Sequence, residues 1–132
     1  MVSEIPYVNL VYCHVMERNW KGDRYEATTP EKIREKEFRG KFVVFLDSES
    51  KARIFGLSGG SPHGCIIDYF ERKFGDKVLD RCHGGGLISI VDKTIKVFDE
   101  SESFGKYKKD MVMPLIEKYR DENLPDYKID ID

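Results

Sequence analysis

Leu87-Ile88-Ser89-Ile90-Val91-Asp92-Lys93-Thr94-Ile95-Lys96-Val97-Phe98 reads as a β-hairpin. β-Branched residues fill both arms, and a two-residue Asp-Lys turn joins them, a weaker turn signal than Asp-Gly. Just upstream stands Gly84-Gly85-Gly86. Three successive glycines at the head of a strand imply a bulge that seats a helix on the sheet, or a place where backbone must approach a ligand closely. Cys82-His83 and the segment from Val78 lead into this run.

Further upstream, Leu57-Ser58-Gly59-Gly60-Ser61-Pro62-His63-Gly64 is a loop that runs into a helix. Ser61 suits the N-cap and Pro62 the first helical position, where a missing amide costs no intrahelical bond. His63 then falls in the first turn. The amides of His63, Gly64 and Cys65 have no intrahelical acceptor, and the positive helix end favours an anion there. That field also disfavours imidazolium, so His63 is expected to be neutral and able to act as base or nucleophile. The pattern equally fits an exposed helix-start histidine with no role. Cys65, Ile66, Tyr69, Phe70, Lys73 and Phe74 form the helical stripe, packing through Ile66, Phe70 and Phe74 with Cys65 as a small core residue. Gly75 suits the C′ position.

Lys41-Phe42-Val43-Val44-Phe45-Leu46 is nearly continuous apolar sequence, the mark of a central strand buried on both faces. A turn at 47–51 and a strand at 53–57 carry the chain to the His63 loop. Residues 5–16 predict a strand that begins after Pro6. From 17 to 40 the composition turns charged, a peripheral insertion with a short solvated helix over about 30–38, started by Thr28 with Glu31 or by Thr29 with Pro30. Beyond the hairpin, 99–105 is a hydroxyl-rich loop. Met111, Val112, Leu115, Ile116 and Tyr119 predict a helix capped by Asp110 and starting near 111, which places Pro114 in its first turn. The tail alternates, so Tyr127, Ile129 and Ile131 should face inward from a last strand.

The 132 residues suit a single α+β domain spanning 1–132, a mixed sheet of about six strands flanked by two main helices. Lys plus Arg (22) nearly balances Asp plus Glu (24), for a formal charge of -2, so no bulk attraction to nucleic acid or anionic membrane is expected. Cys13, Cys65 and Cys82 are an odd set without paired spacing, and no apolar run reaches the ~20 residues of a span. A reducing, cytoplasmic setting is expected. A zinc site at Cys13-His14 and Cys82-His83 is disfavoured, because adjacent strand residues face opposite ways and each pair offers one inward ligand.

Taken in order, these segments resemble the phosphohistidine phosphatase family, also called the janus family. The resemblance is carried by Ile5-Pro6-Tyr7-Val8, Lys41-Phe42-Val43-Val44, His63 at the helix start, Cys82-His83-Gly84-Gly85-Gly86-Leu87-Ile88-Ser89, Lys96-Val97-Phe98, Ser101-Glu102-Ser103-Phe104-Gly105, Lys118-Tyr119 and Pro125-Asp126-Tyr127. The three-glycine segment and the Ser-x-x-Phe-Gly stretch are the most specific. The resemblance implies a mixed sheet flanked by two helices and the removal of phosphate from phosphohistidine, and to some extent phospholysine, in proteins, with no metal or other cofactor. It places the essential histidine at His63, a phosphate-contacting lysine at Lys41 and a phosphate-binding loop at Ser101, Glu102 and Ser103, beside the Gly64 amide. Phosphohistidine-containing proteins would be the partners of a monomeric enzyme.

The chain departs from the family pattern at Pro62, where an aromatic residue is common, at Leu87, where arginine is common, and at Glu102, which adds a negative charge to the loop. The segment between Val8 and Lys41 is longer than usual. These departures support an alternative on the same fold, a non-catalytic protein that binds phosphate or a phosphopeptide.

Overall fold

The computed structural model describes residues 6–14, 24–59 and 63–132. The apolar run at 42–45 becomes the middle of a nine-residue strand, β3 (Phe38–Leu46), from which the sheet is built outward. On one side β3 pairs antiparallel with β4 (Ala52–Ser58), β4 pairs parallel with β1 (Val8–His14), and β2 (Arg24–Ala27) closes that edge antiparallel to β1. On the other side β3 pairs antiparallel with β5 (Cys82–Val91), β5 with β6 (Thr94–Phe98), and β6 runs parallel to β7 (Lys128–Ile131). The order is β2-β1-β4-β3-β5-β6-β7, a mixed seven-stranded sheet in an α+β fold. The strand beyond the expected six or so is β2, which lies inside the stretch read as a charged insertion.

Phe42, Val43, Val44 and Phe45 are all buried, and strand alternation sends them to two different cores. Phe42 and Val44 join Leu10, Ile54, Ile88, Ile90, Ile95 and Val97 under α1 (Pro30–Lys36) and α3 (Lys109–Asn123). Val43 and Phe45 join Phe55, Leu57, Ile66, Ile67 and Phe70 under α2 (His63–Phe74). Tyr127 and Ile131 are buried and Ile129 packs against the first core, as the alternating tail requires. Gly75, with φ 73°, ends α2.

Several local expectations need correction. Of the two starts open for α1, the structure takes Thr29 with Pro30 rather than Thr28 with Glu31, the Thr29 Oγ1 accepting from the Lys32 amide at 3.2 Å. The third helix starts at Lys109, so Asp110 lies in its first turn and Pro114 sits inside it, where the Asp110 carbonyl has no amide to accept from. Cys65 is exposed rather than core. The buried face of α2 runs through His63, Ile66, Ile67 and Phe70, which turns Cys65 to the outside. Ile5, Ser61, Pro62 and residues 15–23 of the first strand and charged stretch lie outside the described residues. Among the described residues no helix is long and apolar enough to cross a membrane.

Candidate active site

α2 packs over β3 and β4 and leaves the same sheet face open above β5 and β6. His63, the first residue of α2, stands at that boundary. Lys41 is on this face too: it lies opposite Leu57 on one neighbouring strand and opposite Leu87 on the other. The chain leaving β6 forms the far wall. There Ser101 and Gly105 exchange backbone hydrogen bonds, and Ser101 Oγ accepts from the Phe104 amide at 3.1 Å. The Gly85 amide donates to Gly105 O at 3.1 Å and ties this loop to β5.

The enclosed space is a cavity of about 700 Å³ lined by Lys41, His63, Leu87, Asp99, Glu100, Ser101, Glu102, Ser103 and Gly105. Lys41, His63, Ser101, Glu102 and Ser103 are therefore brought together, although they are scattered over nearly half of the sequence. Gly64 follows His63 on α2, is exposed, and does not line the cavity. Asp99 and Glu100 are lining residues that sequence reading did not single out, and Gly105 entered it only as the end of the Ser-x-x-Phe-Gly stretch. Their signal was adjacency to Ser101 in a loop that the sheet edge must carry to the same side as Lys41.

The three glycines explain how the ring is seated. A Cβ at Gly85 would stand 2.4 Å from Phe42 O and 3.0 Å from His63 Cδ2, and one at Gly86 would stand 2.6 Å from Phe98 O. At Gly84, φ is 108° and a Cβ would meet Lys106 O at 2.6 Å. β5 carries one extra residue against β3 between Cys82 and Gly85, so this run is a bulge as well as a floor under the histidine.

His63 is only 8 % exposed, which removes the reading of an exposed helix-start residue. Its Nε2 lies 3.0 Å from Gly86 O. A carbonyl only accepts, so in the neutral ring Nε2 carries the proton and Nδ1 carries the lone pair. The Nε2–Cδ2 edge rests on Gly85 and Gly86, and Nδ1 has no hydrogen-bond partner among the described residues. Burial, together with the nearby Lys41 ammonium, holds the imidazole below its ordinary value, against an upward pull from the Gly86 carbonyl and Asp99. Lowered from an ordinary value already below physiological pH, the ring is neutral there, with desolvation the leading cause.

The rest of the lining is mostly acidic. One cation, Lys41, faces three carboxylates, Asp99, Glu100 and Glu102. None of these four groups forms an ion pair among the described residues. Lys41 and His63 are the partly and fully buried members, whereas Asp99, Glu100 and Glu102 are exposed and form the rim. The amides of Glu102 and Ser103 have no acceptor among the described residues.

Other nucleophile and metal candidates do not converge here. Cys13-His14 on β1 and Cys82-His83 on β5 are separated in the sheet by β4 and β3. No group of three or more His, Cys, Asp or Glu side chains among the described residues is arranged to hold a metal ion. Burial pushes the Cys82 thiol up, away from the thiolate, and its Sγ contacts Gly84 O at 3.7 Å. No family model matches the chain, and no curated protein matches it.

Proposed function

We propose that this chain is a protein phosphohistidine phosphatase of the janus type, hydrolysing the P–N bond with His63 as its reactive group. The observation that carries the reading is the Nδ1 lone pair of a buried, neutral imidazole lining one cavity with Lys41 and the 101–103 loop. A phosphoryl group bound there would lie against the Lys41 ammonium and the amides of Glu102 and Ser103, which would take up negative charge as the P–N bond breaks. Nδ1 has two routes. It attacks phosphorus directly, the P–N bond breaks as the leaving imidazole takes a proton from water, and a second water then hydrolyses the phosphorylated His63 to free phosphate; or it takes a proton from a water that attacks phosphorus, the P–N bond breaks, and that proton passes to the departing imidazole. Alkaline quenching, which preserves phosphohistidine, followed by mass spectrometry, distinguishes the routes by the presence or absence of phosphate on His63.

The test of the function is His63→Ala assayed on a phosphohistidine peptide. We expect turnover to fall by ~10³-fold or more while the circular dichroism and amide spectrum stay native, since the side chain faces a cavity already open to solvent. Wild-type turnover in that variant overturns the assignment.

Leu87 and the three carboxylates favour a second reading, a non-catalytic phosphate- or phosphopeptide-binding protein, because the cavity holds fewer cations than a dianion would call for. Phosphate titration followed by NMR, in parallel with the turnover assay, separates them: binding without turnover selects the second.

A further inference from the structure

Three carboxylates at the rim against one ammonium on the floor leave the lining with an excess of two negative charges, which bears on which phosphoproteins fit. We infer that Asp99, Glu100 and Glu102 are specificity-determining residues that restrict the site to phosphorylated residues carried in a basic peptide. This rests on the phosphatase reading and names the substrate class within it.

The cavity has two levels. Its floor offers Lys41 and His63, a residue more than nine-tenths buried whose Nδ1 has no hydrogen-bond partner among the described residues, which together provide for one phosphoryl group. Its rim offers three exposed carboxylates without ion-pair partners among the described residues. A peptide that delivers its phosphoryl group to the floor must lay its neighbouring residues across that rim. Acidic neighbours would meet like charge, whereas Lys or Arg on either side would pair with Asp99, Glu100 and Glu102 and offset their repulsion of the dianion. The three come from one tight loop. The Asp99 carboxylate accepts from the Glu100 amide at 2.9 Å, and the Ser101 and Gly105 backbones close the turn behind Glu102. The rim is thus held in place by backbone hydrogen bonds.

The test uses two labelled peptides of equal length carrying phosphotriazolylalanine, a stable phosphohistidine mimic, flanked by Lys and Arg in one and by Asp and Glu in the other. Fluorescence anisotropy with the full chain at low salt should show the basic peptide bound about tenfold more tightly, each exposed pair contributing a severalfold factor at most. The gap should close to within about twofold at 0.5 M salt, where such pairs are screened. It should close likewise in Asp99→Asn/Glu100→Gln/Glu102→Gln, in which Asn keeps the oxygen that accepts from the Glu100 amide. The exposed pair Glu100→Gln/Glu102→Gln, expected to lose most of the gap, serves if the triple variant does not fold. Equal affinities in the wild type, or a gap that persists at high salt and in the variants, overturns the inference. The same two sequences presented with phosphohistidine give the turnover readout. A binding gap without hydrolysis of either peptide supports the inference and removes the phosphatase reading, so the two fail separately.

Discussion

The protonation of His63 is set by identifiable neighbours, and its sign can be followed. Burial and then Lys41 lower the imidazole, while the Gly86 carbonyl and Asp99 raise it. Lys41→Met should therefore move the acid limb of kcat/KM upward and Asp99→Asn should move it downward, both checked by NMR titration of the ring. Lys41→Met should also cut turnover by about 10²-fold through loss of phosphoryl charge compensation. A depressed histidine contributes stability that is present above the unfolded value of about 6.5 and is lost as pH falls from there through the folded value. Beneath the ring, Gly85→Ala should cost about 1–3 kcal/mol in urea denaturation and lower kcat/KM further than that loss explains, because the new methyl meets both Phe42 O and the imidazole. His63 and Lys41 were visible in the sequence through motif order. The burial of the ring was not: a local reading sees the helix end, whereas Gly85 and Gly86, which lie against the imidazole, are about twenty residues away.

Among the elements, those with strong period were legible and those with weak or competing signals were not. The 87–91 arm of β5 and β6 followed from two strand-prone runs joined by a two-residue turn, and the Asp92-Lys93 turn has φ of 51° and 58°, the left-handed pair that matches hairpin twist. A lysine in that conformation carries strain that glycine does not. Lys93→Gly should raise stability by about 0.5–1 kcal/mol by urea midpoint, its exposed pair with Asp126 being worth little. β2 escaped notice because Arg24 and Glu26 alternate with Tyr25 and Ala27 in only four residues, and its pairing with β1 is a long-range fact. α3 was started too late because Asp110 looks like a cap. The actual N-cap, Lys108, makes no side-chain cap bond, and the turn is closed instead by the amides of Met111 and Val112 on Lys108 O. The acidic rim was hidden for a similar reason: Asp99 and Glu100 read as loop residues until the hairpin is folded and β3 is placed beside β5.

For the molecule as a whole, the cavity exists because the sheet is covered unequally. One face is closed by α1 and α3; on the other, α2 covers only the β3–β4 side, and the site occupies the step where that cover ends. The element that carries His63 is thus held by the smaller of the two cores, which includes Phe70 against Phe45 at 4.6 Å, Phe55 at 5.3 Å and Phe74 at 4.8 Å between ring centroids. Phe70→Ala should cost about 3–5 kcal/mol and Ile116→Ala, on the opposite face, about 2–5 kcal/mol. Although the two costs overlap, their effects on the site should differ. Loss of Phe70 should free α2 locally, so that its amides exchange faster than those of α3 and kcat/KM falls at temperatures where the fold persists. Loss of Ile116 should lower the urea midpoint with the site intact and kcat/KM close to wild type. Equal activity in the two variants under conditions where both remain folded would mean that the seating of His63 does not depend on the α2 core, and would transfer that role to Gly85, Gly86 and the loop tied to them.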